Sequence, residues 1–279
     1  FLLAELGWVG VMWWNFDRWT RLGRLSWGGI ALMLAVALML ALLAFRTPLL
    51  TMILVSILGY HRLVKPIQAH HLLVAFLVML TFAWGYGWLR LQGTERYGGY
   101  SQFLSLTGAK WGPLEAFAPV ATTLHEGPLV LTLLMQNIPD RYDYQMGAVT
   151  FSTLHTLLPG YQIGPRGWIG IYARGLEHST TPTILGFPYV DFGYPGVFVF
   201  MGLFGAGIAW LYLMALRRPT VLWVWLWAYS QTALLLSIHT GFADTRHLVL
   251  TVFALLIAWG SSRHPFALLR RRHPTGAET

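Results

Sequence analysis

Residues 194–215, YPGVFVFMGLFGAGIAWLYLMA, run for 22 positions without a single Asp, Glu, Lys or Arg. A helix needs about 20 mostly apolar residues to cross the hydrocarbon core of a bilayer, and in lipid a helix satisfies its own backbone hydrogen bonds. This stretch therefore reads as a membrane span, and the rest of the chain repeats the pattern. Apolar runs at 26–43, 48–60, 69–89, 219–239 and 247–260 predict further spans, the one at 48–60 being short, and residues 1–16 predict the end of a seventh. The expected fold is all-α, a polytopic transmembrane helix bundle of six to seven spans. The chain opens at Phe1 inside an apolar run, so the expectation is one membrane domain over 1–279 that is incomplete at its N-terminus.

Composition agrees. Charged residues make up 11% of the 279 and hydrophobic ones 56%, against about 25% charged in a soluble domain. The chain has no Cys, which excludes disulfides, thiolate chemistry and Cys-based metal sites. Its net charge of +8 is not a nucleic-acid footprint, since the cations sort by side of the membrane. If the spans alternate, Arg18, Arg21, Arg24, Arg62, Lys65, Arg217, Arg218, Arg263, Arg270, Arg271 and Arg272 share one side with only Asp17 and Glu278. By the positive-inside rule that side is the cytoplasm. The opposite side balances eight basic against eight acidic residues, so its cations are not explained by topology.

That outer side carries an unusually long loop, 90–193, where connections of a handful of residues are common. Within it GPLVLTLLMQ (127–136) and MGAVTFSTLHTLL (146–158) are too short to span and read as short interfacial helices. The segment 161–196, YQIGPRGWIGIYARGLEHSTTPTILGFPYVDFGYPG, sets Arg166, Arg174, Glu177, His178 and Asp191 directly before the span. Two further outer elements each bring an Arg: Arg46 in LLAFRTPLL, and Arg246 in the connector HTGFADTRH (239–247). Guanidinium groups bind phosphate oxygens in pairs and stay charged at working pH. Arg46, Arg166, Arg174 and Arg246 are thus candidates to hold an anionic lipid diphosphate, against a plainer role as structural ion pairs or headgroup contacts. Asp191, Glu177 and His178 are the nearby groups able to take a proton.

No metal or cofactor signature accompanies them. His125-Glu126 lacks the second His of a zinc helix, and the chain has no Walker loop, dinucleotide glycine pattern or G-x-S-x-G elbow. The expectation is therefore no metal and no cofactor. GLFGAGIAW (202–210) has small residues at helix-packing spacing.

The order of features from 138 to 206 resembles the oligosaccharide repeat-unit polymerases, the Wzy-type O-antigen polymerase family. The resemblance lies in IPDRYDYQMGAVTFSTLHTLLPG, followed by STTPTILGFPYVDFGYPGVFVFMGLFG, with an aromatic-Asp-Phe-Gly-x-x-Gly turn leading into a span; the Arg of AFRTPLL is also similar. GLEHSTTPT departs from the expected pattern, in that Leu176, Glu177 and His178 occupy a stretch usually shorter and richer in Gly and Ser. The resemblance implies a metal-independent membrane glycosyltransferase that moves a growing glycan from an undecaprenyl-diphosphate carrier to another lipid-linked repeat unit, in O-antigen, capsule or exopolysaccharide biosynthesis. It implies residence in the inner (cytoplasmic) membrane with the long loop on the outer face. Its implied partners are lipid-linked oligosaccharides, membrane lipids and other polysaccharide-assembly proteins, with no nucleic acid. An O-antigen ligase or other lipid-carrier glycosyltransferase is the enzyme alternative, and a lipid-linked glycan flippase or permease the non-enzyme one. A transporter is expected to show repeats and mid-membrane charges, and neither is evident here.

Overall fold

The computed structural model describes residues 2–42, 46–71, 73–74, 77, 81, 118–155, 163–175, 177, 182–237, 252–253 and 255–256. Among them the regular elements are all helical. In chain order they are α1 (Leu2–Leu22), α2 (Trp27–Leu42), α3 (Arg46–Leu63), α4 (Ala118–Asn137), α5 (Ala148–His155), α6 (Pro165–Arg174), α7 (Gly186–Arg217) and α8 (Val221–Leu236). Most of the predicted spans at 69–89 and 247–260 lies outside the described residues. So do His178, Arg246 and the loop from 90 to 117.

α7 is the one described helix long and apolar enough to cross a membrane by length and composition. Its apolar window is not buried by the protein, and Phe198 and Leu203 are 77% and 71% exposed. Such side chains in water would forfeit about 25 cal/mol per Å² of apolar surface, whereas lipid accepts them. The 24 residues from Tyr194 to Arg217 reach roughly 36 Å at 1.5 Å per residue, enough for the hydrocarbon core. α2, α3 and α8 are apolar helices of 16, 18 and 16 residues, shorter than a full span.

The chain divides into two compact units. The first contains α1 to α3, the C-terminal part of α7 from Gly202, and α8 to Leu235. Its core is aromatic: Trp8, Met12, Trp13, Phe16 and Trp19 of α1 are buried with Met52, Val55, Val224 and Trp225. The first apolar run, expected as the end of a span, supplies much of this core, and its helix continues through Asp17 and Arg21 to Leu22. Trp8 stacks on Trp225, and Trp19 meets Tyr60 edge-on. Gly59 of α3 packs directly on Phe16 of α1, since a Cβ there would lie 2.0 Å from the Phe16 ring. Gly59→Ala is expected to destabilise this unit by about 1–3 kcal/mol, the usual cost of overpacking, read as a lower unfolding midpoint in detergent.

Basic residues end three helices of this unit, and the contacts bring those ends together. Trp19 against Tyr60 joins the end of α1 to that of α3. Arg62 Nη2 donates to the Ala215 carbonyl at 3.5 Å, joining α3 to the end of α7. That carbonyl is open because the residue four positions on is Pro219, which has no N–H to give. Ser26 caps α2, its Oγ accepting from the Gly29 N–H at 3.1 Å.

The second unit spans 67–201 and 236–244, and so holds α4, α5, α6 and the start of α7. Its core gathers Val130, Leu134 and Ile138 from α4 and its end, Val149 from α5, Ile169, Tyr172 and Ala173 from α6, and Phe187, Tyr189 and Val190 from α7. The apolar run 127–136 belongs to a 20-residue helix rather than a short one, since the polar residues before it continue the α4 turn.

Candidate active site

The motif YVDFGYPG, 189–196, supplies the frame of the second unit. Gly193 breaks α7 with φ 65° and ψ −153°, a region open in practice only to glycine. Two carbonyls lose their intrahelical partners at the break. Val190 O lies opposite the displaced Tyr194 amide, and Asp191 O faces Pro195, which has none to offer. The chain before α5 fills both positions: Gln145 N–H donates to Val190 O at 3.1 Å and Met146 N–H to Asp191 O at 3.0 Å.

The same aspartate then caps α5. A helix start leaves its first N–H groups without intrahelical acceptors, and Gly147, just before α5, has no side chain to serve them. Asp191 reaches across from α7 instead. Its Oδ1 accepts from Val149 N–H at 3.0 Å and its Oδ2 from Thr150 N–H at 2.7 Å. The carboxylate is fully buried, at 0% exposure, and its negative charge faces the positive end of the α5 dipole. Asp191, expected from sequence as a proton acceptor, therefore has both oxygens engaged by backbone amides.

α6 carries two of the candidate cations. Gly164 and Pro165 open it, and Gly175, at φ 70°, closes it with an N–H to Ile171 O. Asn137 at the end of α4 donates to the Tyr172 and Ala173 carbonyls at 2.9 and 3.2 Å, capping the last turn of α6. Pro165, Ile169, Gly170, Tyr172 and Ala173 are buried. Arg166 sits in the first turn, half-buried, and Arg174 in the last turn, exposed. Eight residues of helix separate them by roughly 12 Å along the axis. Glu177 is exposed and lies beside the first turn of α6: a Cβ on Gly167 would come within 3.8 Å of the Glu177 Cγ. The second unit thus holds Arg166, Arg174, Glu177 and Asp191 together.

Arg46 begins α3 and belongs to the first unit, with Pro48 in the same first turn. Arg246 and His178 are outside the described residues. The root of the Arg246 connector is described: Ser237 O accepts from Ile184 N–H at 3.0 Å, tying the end of the α8 segment to the residues that lead into α7.

Tyr172 and Trp168 stack on each other with centroids 5.9 Å apart, and Tyr142 meets Tyr172 edge-on. Tyr172 is buried and serves the core, leaving the half-buried Trp168 as the ring with an accessible part. Burial pushes the Tyr172 phenol above its ordinary value, and nearby Asp191 and Tyr142 add to the shift. The phenol therefore stays neutral at working pH. Gly193 belongs to the aromatic-Asp-Phe-Gly-x-x-Gly turn read from sequence, whereas Asn137 and Met146 carry no such signal, and Pro195 four residues after Asp191 marks an unpartnered carbonyl. Among the described residues no group of three or more His, Asp or Glu is arranged to hold a metal ion.

No curated protein and no solved structure matches the chain. A family model described as "Putative O-antigen polymerase" matches residues 26–251, which cover α2 through α8 and the whole of the second unit's helical frame. The chain belongs to the O-antigen polymerase family, membrane proteins with a polymerase role in surface polysaccharide synthesis.

Proposed function

We propose that this protein polymerises lipid-linked oligosaccharide repeat units at the outer face of the cytoplasmic membrane, moving the growing glycan from an undecaprenyl-diphosphate carrier onto a second lipid-linked unit. Membership of the O-antigen polymerase family over residues 26–251 is the observation that carries this reading. The bundle would have six to seven spans, with 90–193 outside, and would work without a metal or other cofactor. Each turnover forms one glycosidic bond. An acceptor hydroxyl attacks the anomeric carbon of the donor glycan, the bond to the diphosphate oxygen breaks, and the lipid diphosphate leaves with the electron pair.

Developing negative charge on that leaving group calls for fixed cations. Arg174 and Arg166 at the two ends of α6 suit a diphosphate with its first sugar, given their roughly 12 Å separation. On the sequence reading, Arg46 and Arg246 are proposed as further phosphate ligands. The hydroxyl proton goes to Glu177 or His178. Asp191, with both oxygens committed to the α5 amides, is better suited to holding the frame than to taking that proton.

Arg174→Ala and Arg246→Ala, each in a producing cell, test the anion site through glycan length. The expected result is loss of long chains while single repeat units still reach the surface acceptor, the loss being at least tenfold if one charge-assisted contact of about 1.5–3 kcal/mol is removed. Unchanged lengths in both variants would sink the proposed site. Loss of all surface glycan, single units included, would favour the ligase or flippase reading.

A further inference from the structure

We propose that Met146, Phe151 and Phe192 form a lipid-facing anchor, by which α5 lies in the outer leaflet and sets the depth of the α7 break. All three are exposed although apolar, at 74%, 59% and 44%. They form one patch: a Cβ on Gly147 would stand 3.1 Å from the Phe151 ring and 3.4 Å from the Phe192 ring, so both rings flank that glycine. The patch is rigid, because the amides of Gln145, Met146, Val149 and Thr150 are all bonded to Val190 or Asp191. Met146 has φ 49°, a left-handed conformation uncommon outside glycine. A strained backbone that presents a bare apolar side chain to water has no evident benefit, whereas the same side chain in hydrocarbon is stabilised.

Continuity with the spanning helix argues for lipid rather than a soluble partner. Phe192 leads directly into Tyr194, Phe198 and Val199, all exposed on α7 before Met201 and all within the second unit. The three side chains are apolar, and the one carboxylate beside them, Asp191, is buried and engaged by the Val149 and Thr150 amides. An apolar patch at the foot of a spanning helix is stabilised in the acyl region of the interface, where its side chains leave water. Held there, α5 would keep the neighbouring α6 at headgroup level, where the diphosphate of a lipid-linked sugar resides; that consequence rests on the function proposed above, while the anchor itself does not.

The absence of cysteine makes the test direct. Single variants Met146→Cys and Phe151→Cys, spin-labelled and reconstituted in phosphatidylethanolamine–phosphatidylglycerol liposomes, are compared with Phe198→Cys on the span and Asp143→Cys on the exposed turn. Collision with oxygen is expected to exceed collision with a water-soluble nickel complex several-fold at 146, 151 and 198, and the order to reverse at 143. Labels at 146 and 151 that follow 143 overturn the anchor, as do labels shielded from both reagents, which would mean a protein partner or second copy covers the patch. Should labelling perturb folding, the unaltered protein in liposomes containing a phospholipid with an acyl-chain diazirine supplies the second readout. Photoadducts within 146–151 support the anchor, and adducts confined to α7 beyond Tyr194 contradict it. Glycan lengthening scored on the same samples separates the two ideas, since a failed anchor with intact lengthening leaves the polymerase reading standing.

Discussion

Gly193→Ala is expected to abolish glycan lengthening and to lower the unfolding midpoint of the protein more than any other single substitution in YVDFGYPG. Two effects combine at this position. The backbone at φ 65° and ψ −153° is closed to side-chain-bearing residues, and a Cβ would lie 2.9 Å from the Tyr144 ring. Strain of this kind costs about 1–3 kcal/mol, and relief by straightening α7 would withdraw both carbonyls that hold Gln145 and Met146. Tyr144→Ala combined with Gly193→Ala separates the contributions. The double variant removes the ring clash and leaves the dihedral strain, so it should stay impaired in lengthening; recovery to the level of Tyr144→Ala alone would show that the ring, and not the backbone conformation, makes glycine necessary.

Asp191→Ala is the second large effect. It strips acceptors from two amides at the start of α5 and leaves a cavity in a fully buried place. Loss of a helix cap costs about 0.5–2 kcal/mol, and a buried amide left unsatisfied adds about 1–3 kcal/mol. Asp191→Asn keeps one carbonyl oxygen and should fall between wild type and Asp191→Ala in both unfolding midpoint and lengthening. The pH dependence of lengthening distinguishes a cap from a base. For a cap, activity falls in step with stability, and the residual activity of Asp191→Asn keeps the wild-type profile. For a base, activity disappears in both variants while the midpoint holds, or the acid limb of the profile is lost.

The span at 194–215 was legible because the bilayer imposes a simple rule on about 20 residues, and α7 from Tyr194 to Arg217 follows it. Its buried approach from Gly186 to Asp191 was not, because a run containing Pro188, Gly193 and Pro195 reads as a turn until its neighbours are known. The α5 cap was equally hidden: Asp191 and Val149 are 42 positions apart, and no local pattern joins them. The run at 127–136 read as short because hydropathy stops at His125 and Glu126, whereas the α4 backbone continues through both. Charge was more informative. The basic ends of α1, α3 and α7, grouped from sequence by sidedness, belong to one end of the first unit, as Trp19 against Tyr60 and Arg62 on Ala215 O make plain. Of the candidate site, Arg166, Arg174 and Glu177 are near neighbours in sequence, on α6 and just beyond it, while Arg46 lies in the other unit and no sequence rule relates it to α6.

Polymerisation itself is tested most directly with the purified full chain in liposomes supplied with undecaprenyl-diphosphate-linked repeat units as the sole substrate. Product length and released undecaprenyl diphosphate are followed together. The account predicts glycans of two and more repeat units, with one lipid diphosphate released for every bond formed and no added metal required. Repeat units that stay single, or that are transferred once to a different acceptor without lengthening, would contradict it.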